Sequence, residues 1–114
     1  MQLDRELVAA STTPIILSIL KHKGEEISDA YGYAIIKEVA RLSGDSLNWT
    51  EGMLYPVLHR LERNGFISSR WERSDTGRRR KHYRITGNGR DELDRLKSQW
   101  NVVDTILRSS WRHK

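Results

Sequence analysis

Apolar residues recur at steps of three and four along four stretches of this chain and follow a strand-like pattern between the third and the fourth, and that change of period lays out the fold. From Leu3 to Lys21 they fall at Leu3, Leu7, Val8, Ile15, Ile16, Ile19 and Leu20, interrupted by Ser11, Thr12, Thr13 and Pro14. Proline costs about 3 kcal/mol inside a helix and little in its first turn, where its missing N–H has no partner anyway. Two readings follow: Thr13 caps a helix that begins at Pro14, or one longer helix bends there, with Leu3 to Ala10 as an N-terminal arm. Gly24 to Asp29 reads as a polar connection. Tyr31 to Leu42 is a second helix with Tyr31, Ile35, Val39 and Leu42 along one stripe, and Ser43, Gly44 and Asp45 end it.

Thr50 is the expected N-cap of the third helix, with Glu51 at the positive end of the helix dipole. Leu54, Leu58 and Leu61 form its inward stripe, with Val57 alongside. Pro56 presses on the carbonyl of Gly52, which predicts a distorted first turn, and Asn64 with Gly65 gives a left-handed stop. Phe66 to Arg73 and His82 to Ile85 then read as the strands of a β-hairpin, with turn chemistry at Asp75, Thr76 and Gly77. Thr86 caps a last helix reaching Arg112, on which Leu93, Leu96, Trp100, Val103 and Leu107 make a heptad-like seam. At 1.5 Å per residue that helix is roughly 37 Å long, enough to reach a second chain.

The predicted class is α+β, mainly α: a winged helix-turn-helix of three helices and a two-stranded β-wing in residues 1–86, with a long C-terminal dimerisation helix in 87–114. Charge sharpens this picture. Residues 70–90 hold eight Lys or Arg against Glu72 and Asp75, a net of +6, whereas the rest of the chain is net −1. Such asymmetry points to a polyanion-binding patch built into one element. A chain of 114 residues, 37 % hydrophobic, is one small and lean domain, so an oligomer that buries further apolar surface is expected. The absence of Cys excludes disulfides and thiolate chemistry. No apolar run approaches the ~20 residues of a membrane span, no signal-peptide core is present, and a soluble cytoplasmic protein is expected. His22, His59, His82 and His113 are far apart, and no metal spacing, phosphate loop or nucleophile elbow occurs, so neither an enzyme nor a cofactor is expected.

Four segments resemble the PadR-like transcriptional regulators of the short class: YGYAI at 31–35, GMLYPVLHRLERNGFI at 52–67, GRRRKHYRIT at 77–86, and a last helix containing SQW at 98–100. The chain ends at Lys114, before the larger C-terminal domain of the long members. The resemblance implies a winged helix-turn-helix that dimerises through its C-terminal helix and represses a promoter, often its own. Pro14 and Trp49 match no firm pattern of that family. In multidrug-responsive relatives a tryptophan that Trp100 matches lines a pore at the dimer interface, where planar aromatic ligands stack; Trp100 is thus either an effector site or a packing anchor.

With Leu54, Leu58 and Leu61 inward, the third helix offers Glu51, Gly52, Tyr55, Pro56 and His59 to a DNA groove, with Thr50 on a phosphate. Tyr55 could meet a phosphate or a thymine methyl, and His59 a base or phosphate; the alternative is that both are ordinary exposed helix residues. Arg60 and Arg63 lie near the flank. Arg78, Arg79, Arg80 and Lys81 form a candidate phosphate clamp at the hairpin tip, or else a solvated charge run. Tyr31 is either a phosphate donor or a core tyrosine. The partners so implied are a double-stranded DNA operator, a second copy of the chain and a small planar aromatic effector, with no membrane. The competing classes are a winged-helix protein–protein interaction module and a sequence-independent DNA compactor.

Overall fold

A computed structural model of the chain describes residues 1–25, 31–73, 77 and 79–112. The elements are α1 (Arg5–Glu25), α2 (Gly32–Leu42), α3 (Glu51–Arg63), β1 (Ile67–Arg73), β2 (Arg79–Ile85) and α4 (Gly87–Arg112).

Of the two readings of the first segment, the continuous helix is the one adopted: α1 passes through Pro14 and takes in Gly24 and Glu25 from the expected connection. The remainder of that connection lies outside the described residues. Ahead of the proline, Ser11 donates to the Leu7 carbonyl at 2.8 Å and Thr12 to that of Val8 at 2.7 Å, so both hydroxyls are satisfied within the helix. Ile16, Leu17, Ile19 and Leu20 then bury the second half of α1 against α4 and β2.

Tyr31 caps α2 in an extended conformation and forms an isolated antiparallel bridge with His82, tying the start of α2 to β2. Ile35 and Val39 are buried as expected, but Leu42 is 61 % exposed. It sits in the last turn of α2, where it lines a groove shared with α1 and α4 instead of the core. Trp49, just before α3, is a core residue.

Thr50 caps α3 by accepting from the Met53 N–H at 3.2 Å, and the helix is continuous across Pro56, whose ring is exposed. It ends in a Schellman arrangement in which the Phe66 N–H donates to Leu61 and the Gly65 N–H to Glu62, both at 3.0 Å. Gly65 has φ of +80°, a conformation in which a side chain would be strained.

β1 and β2 pair antiparallel from Ile67↔Ile85 to Arg73↔Arg79, so β2 begins three residues before the predicted His82. Its charged start suits a strand because successive side chains point to opposite faces, and Glu72 lies opposite Arg80. Thr86 joins three elements: its hydroxyl donates to the Gly65 carbonyl at 2.7 Å and accepts from the Gly89 N–H at 3.0 Å. Leu93 on α4 is 1 % exposed and belongs to the core of its own chain. Three helices followed by a hairpin and a long helix make a winged helix-turn-helix, mainly α, with extents of 61 × 31 × 24 Å.

Candidate nucleic-acid interface

Successive α3 residues rotate by about 100°, which sets Gly52, Pro56, His59 and Arg63 on one stripe opposite the buried Leu54, Leu58 and Leu61. All four are exposed, as are Thr50 and Glu51 at the helix start. Arg63 completes a stripe that the sequence assigned only to the flank; its place four residues after His59 is the signal for it. Tyr55 departs from that stripe. Its ring packs against the core, and a Cβ on Gly32 would lie 2.5 Å from its hydroxyl oxygen. The Tyr55 ring thus packs over the first turn of α2, in space that the missing side chain of Gly32 leaves open. Arg60 is also engaged internally: its guanidinium donates to the Thr13 hydroxyl at 3.2 Å and holds α3 to α1.

The hairpin distributes its cations in an order that the run of four did not reveal. Arg78 lies outside the described residues. Arg79 and Arg80 are exposed and project to opposite faces, Arg79 with its guanidinium 5.4 Å from the centre of the Trp71 ring and Arg80 4.6 Å from that of Tyr31. Contacts of this kind hold a cation in place without neutralising it. Lys81 is half-buried, with Nζ 3.8 Å from Glu62 Oε1. Glu62 also accepts from the Ser69 hydroxyl, so one carboxylate on α3 pins both strands of the wing. Tyr31 is half-buried, with its ring centre 5.8 Å from that of His82.

A second carboxylate organises the opposite face. Glu72 is hydrogen-bonded by Arg70 and has Oε2 3.5 Å from His82 Nδ1. The bond from Arg70 is the main cause that holds its carboxyl below the usual range, with His82 and Arg84 adding to the effect. Arg70, Arg73 and Arg84 extend the exposed basic surface of the two strands. Glu72 and Trp71 have no motif of their own, and strand alternation and register give them their partners; Glu62 lies within the 52–67 segment but meets Lys81 and Ser69 only through the packing of α3 on the wing.

On α4 the predicted seam divides. Leu93 is internal, Leu96 is half-buried against the core, and Val103 and Leu107 are exposed. Val102, Ile106 and Trp111, which lie off the predicted set, are exposed as well. Trp100 is half-buried at the edge of an open groove of about 1160 Å³ between α1, α2 and α4, together with Pro14, Ile15, Ile19 and Leu42. Among the described residues no cluster of His, Cys, Asp or Glu could hold a metal ion, and no helix is long and apolar enough to cross a membrane.

The model of the transcriptional regulator PadR-like family matches residues 16–95. An uncharacterised protein X of Lysinibacillus sphaericus is 31 % identical over 102 residues, covering 90 % of this chain and 89 % of its own. A transcriptional regulator from Clostridium thermocellum superposes with a TM-score of 0.79 at 29 % identity, covering 91 % of this chain and 96 % of that one. A PadR family transcription regulator from Clostridium difficile R20291 gives 0.71 at 32 % identity, with 89 % and 98 % covered.

Proposed function

This chain belongs to the PadR-like family of transcriptional regulators, and from that premise we propose that it is a homodimeric, sequence-specific DNA-binding repressor. The observation that carries the reading is the union of an exposed helix stripe with a basic hairpin in one packed head. Glu62 ties β1 and β2 to α3, and the strands so held present Arg70, Arg73, Arg79, Arg80 and Arg84 to solvent. In this reading α3 enters the major groove with Gly52, Pro56, His59 and Arg63, and Thr50 and Glu51 stand at its leading end. Gly52 and Pro56 give a close, smooth approach, while His59 and Arg63 offer hydrogen bonds to bases or phosphates. Arg79 and Arg80 clamp phosphates from opposite faces of the wing, with Arg78 as a further phosphate contact. Tyr31 acts by holding Arg80, and Lys81 by holding the wing to α3.

Residues 1–86 form the reading head, and 87–114 join two heads so that they meet half-sites roughly 34 Å apart, about one turn of DNA. Such a repressor works in the cytoplasm, where the operator is. Trp100 and the groove beside it accept a small planar aromatic effector, which releases DNA only by preferring one spacing of the heads over another. A fluorescence change at Trp100 on adding planar cationic dyes or phenolic acids, lost in Trp100→Ala, tests that part; an unchanged signal leaves Trp100 a packing anchor.

A footprint over the DNA upstream of the gene, followed by titrations at several salt concentrations, tests the main reading. Each phosphate contacted contributes a log–log salt slope of about −0.9. Arg79→Ala with Arg80→Ala removes two phosphate contacts from each of the two heads, so it should make the slope shallower by about 3.6 and weaken binding at least ~10-fold at moderate salt. Unchanged affinity and slope would remove the wing from the interface, and equal affinity for all duplexes would replace specific repression by compaction.

A further inference from the structure

Trp71 is the residue of the head whose placement the functions above leave unexplained. It lies on β1 and is 57 % exposed, although an indole is among the side chains that gain most from burial. Strand alternation places Arg73 beside it on the same face, the register sets Lys81 directly opposite, and the Arg79 guanidinium lies 5.4 Å from its ring centre. Lys81 is turned towards Glu62, which leaves Arg73 and Arg79 as the exposed cations beside the ring. Arg73 and Arg79 are paired across the strands on the tip side of the ring, so a large apolar surface lies beside a pair of cations and complements an apolar surface that adjoins an anion. The deoxyribose rings between successive phosphates of a DNA strand are such a surface.

We propose that Trp71 is a DNA-contacting residue that packs its exposed ring against the deoxyribose wall of the duplex while Arg73 and Arg79, paired beside it on the tip side, take the adjoining phosphate. The inference rests on the DNA-binding reading above and adds a non-ionic contact to it. That contact carries no charge, so it differs from an arginine contact in a measurable way. Loss of the ring lowers affinity without changing the number of counterions released, whereas loss of an arginine lowers both.

The test uses the full-length chain and a duplex of about 30 base pairs from the upstream DNA, a length that spans two half-sites one turn apart. Trp71→Ala, which removes one ring from each of the two heads, is expected to weaken binding at least ~10-fold with the salt slope of the wild type retained. Trp71→Phe should recover most of the loss. A slope that falls together with affinity would make Trp71 only a support for Arg79 and overturn the direct contact; so would unchanged affinity. Wild-type protein that binds no duplex at any salt would instead overturn the DNA reading itself, and this inference with it. Fluorine NMR of protein labelled with 5-fluorotryptophan gives a readout independent of variant stability. The resonance lost in Trp71→Phe should shift on adding the duplex to wild type, while that of the buried Trp49 stays in place; a stationary Trp71 resonance in the bound state would refute the contact.

Discussion

Tyr83 shows what burial does to a single side chain. It is a core residue on β2, and its hydroxyl oxygen has no hydrogen-bond partner among the described residues. Burial, reinforced by Tyr55 and Glu62, pushes its pKa from 10.0 up to about 12. A raised value means that the folded state holds the proton more tightly than the unfolded chain does. The resulting stability is complete below pH 10, where both states are protonated, and is lost as pH rises through 12. Wild-type Tm should therefore fall more steeply between those limits than that of Tyr83→Phe, which should also be at least as stable at pH 7 because it removes an unpaired polar atom. Parallel alkaline melting curves would refute the assignment. The sequence marked Tyr83 only as a strand residue next to His82, since its neighbours Tyr55 and Glu62 belong to another element. Tyr55 is half-buried for the same reason: helical phase puts it near the exposed stripe, and Gly32, 23 positions earlier, leaves the space its ring occupies.

At the scale of elements, ends proved more legible than lengths. Thr50 and Gly65 announce the limits of α3 because caps are made within a few residues of where they act. β2 starts earlier than its composition suggests because register with β1 extends pairing through Arg79 and Arg80. The junction of the wing with α4 depends on one close approach. A Cβ on Gly89 would lie 2.0 Å from the carbonyl oxygen of Phe66, which is fixed backbone and already accepts the Thr86 N–H at 3.0 Å. Alanine is about 1 kcal/mol better than glycine within a helix, but here the clash outweighs it. Gly89→Ala should cost about 2 kcal/mol net and lower Tm by roughly 8–15 °C in a thermal melt. An unchanged Tm would show that α4 can tilt away from Phe66 freely, against the packing described.

The whole molecule is longer than a compact chain of its size. Its radius of gyration is 15.7 Å, against about 13 Å expected for a globule of this length. The excess lies in α4, where residues 101–112 are exposed throughout. Val102, Val103, Ile106, Leu107 and Trp111 cover about half of that helix's circumference, an arc too wide for a single helix seam and suited to several elements of a second copy. Val103→Asp with Leu107→Asp should leave the head folded, since neither touches the core, while sedimentation shifts from dimer to monomer and DNA affinity falls with the loss of the second head. A double variant that stays dimeric would move the interface elsewhere.

The order of the elements, the caps of α3 and α4, the hairpin and its charge were determined by the sequence itself, because hydrophobic period, turn chemistry and capping act over a few residues. Which neighbour each side chain meets was decided by the tertiary structure. Arg60 turns to Thr13, 47 residues away; Lys81 turns to Glu62; Leu93 joins its own core, and Trp71 is left in solvent. Those outcomes depend on distances between elements that no local period encodes. They separate the residues that hold the head together from those that face solvent.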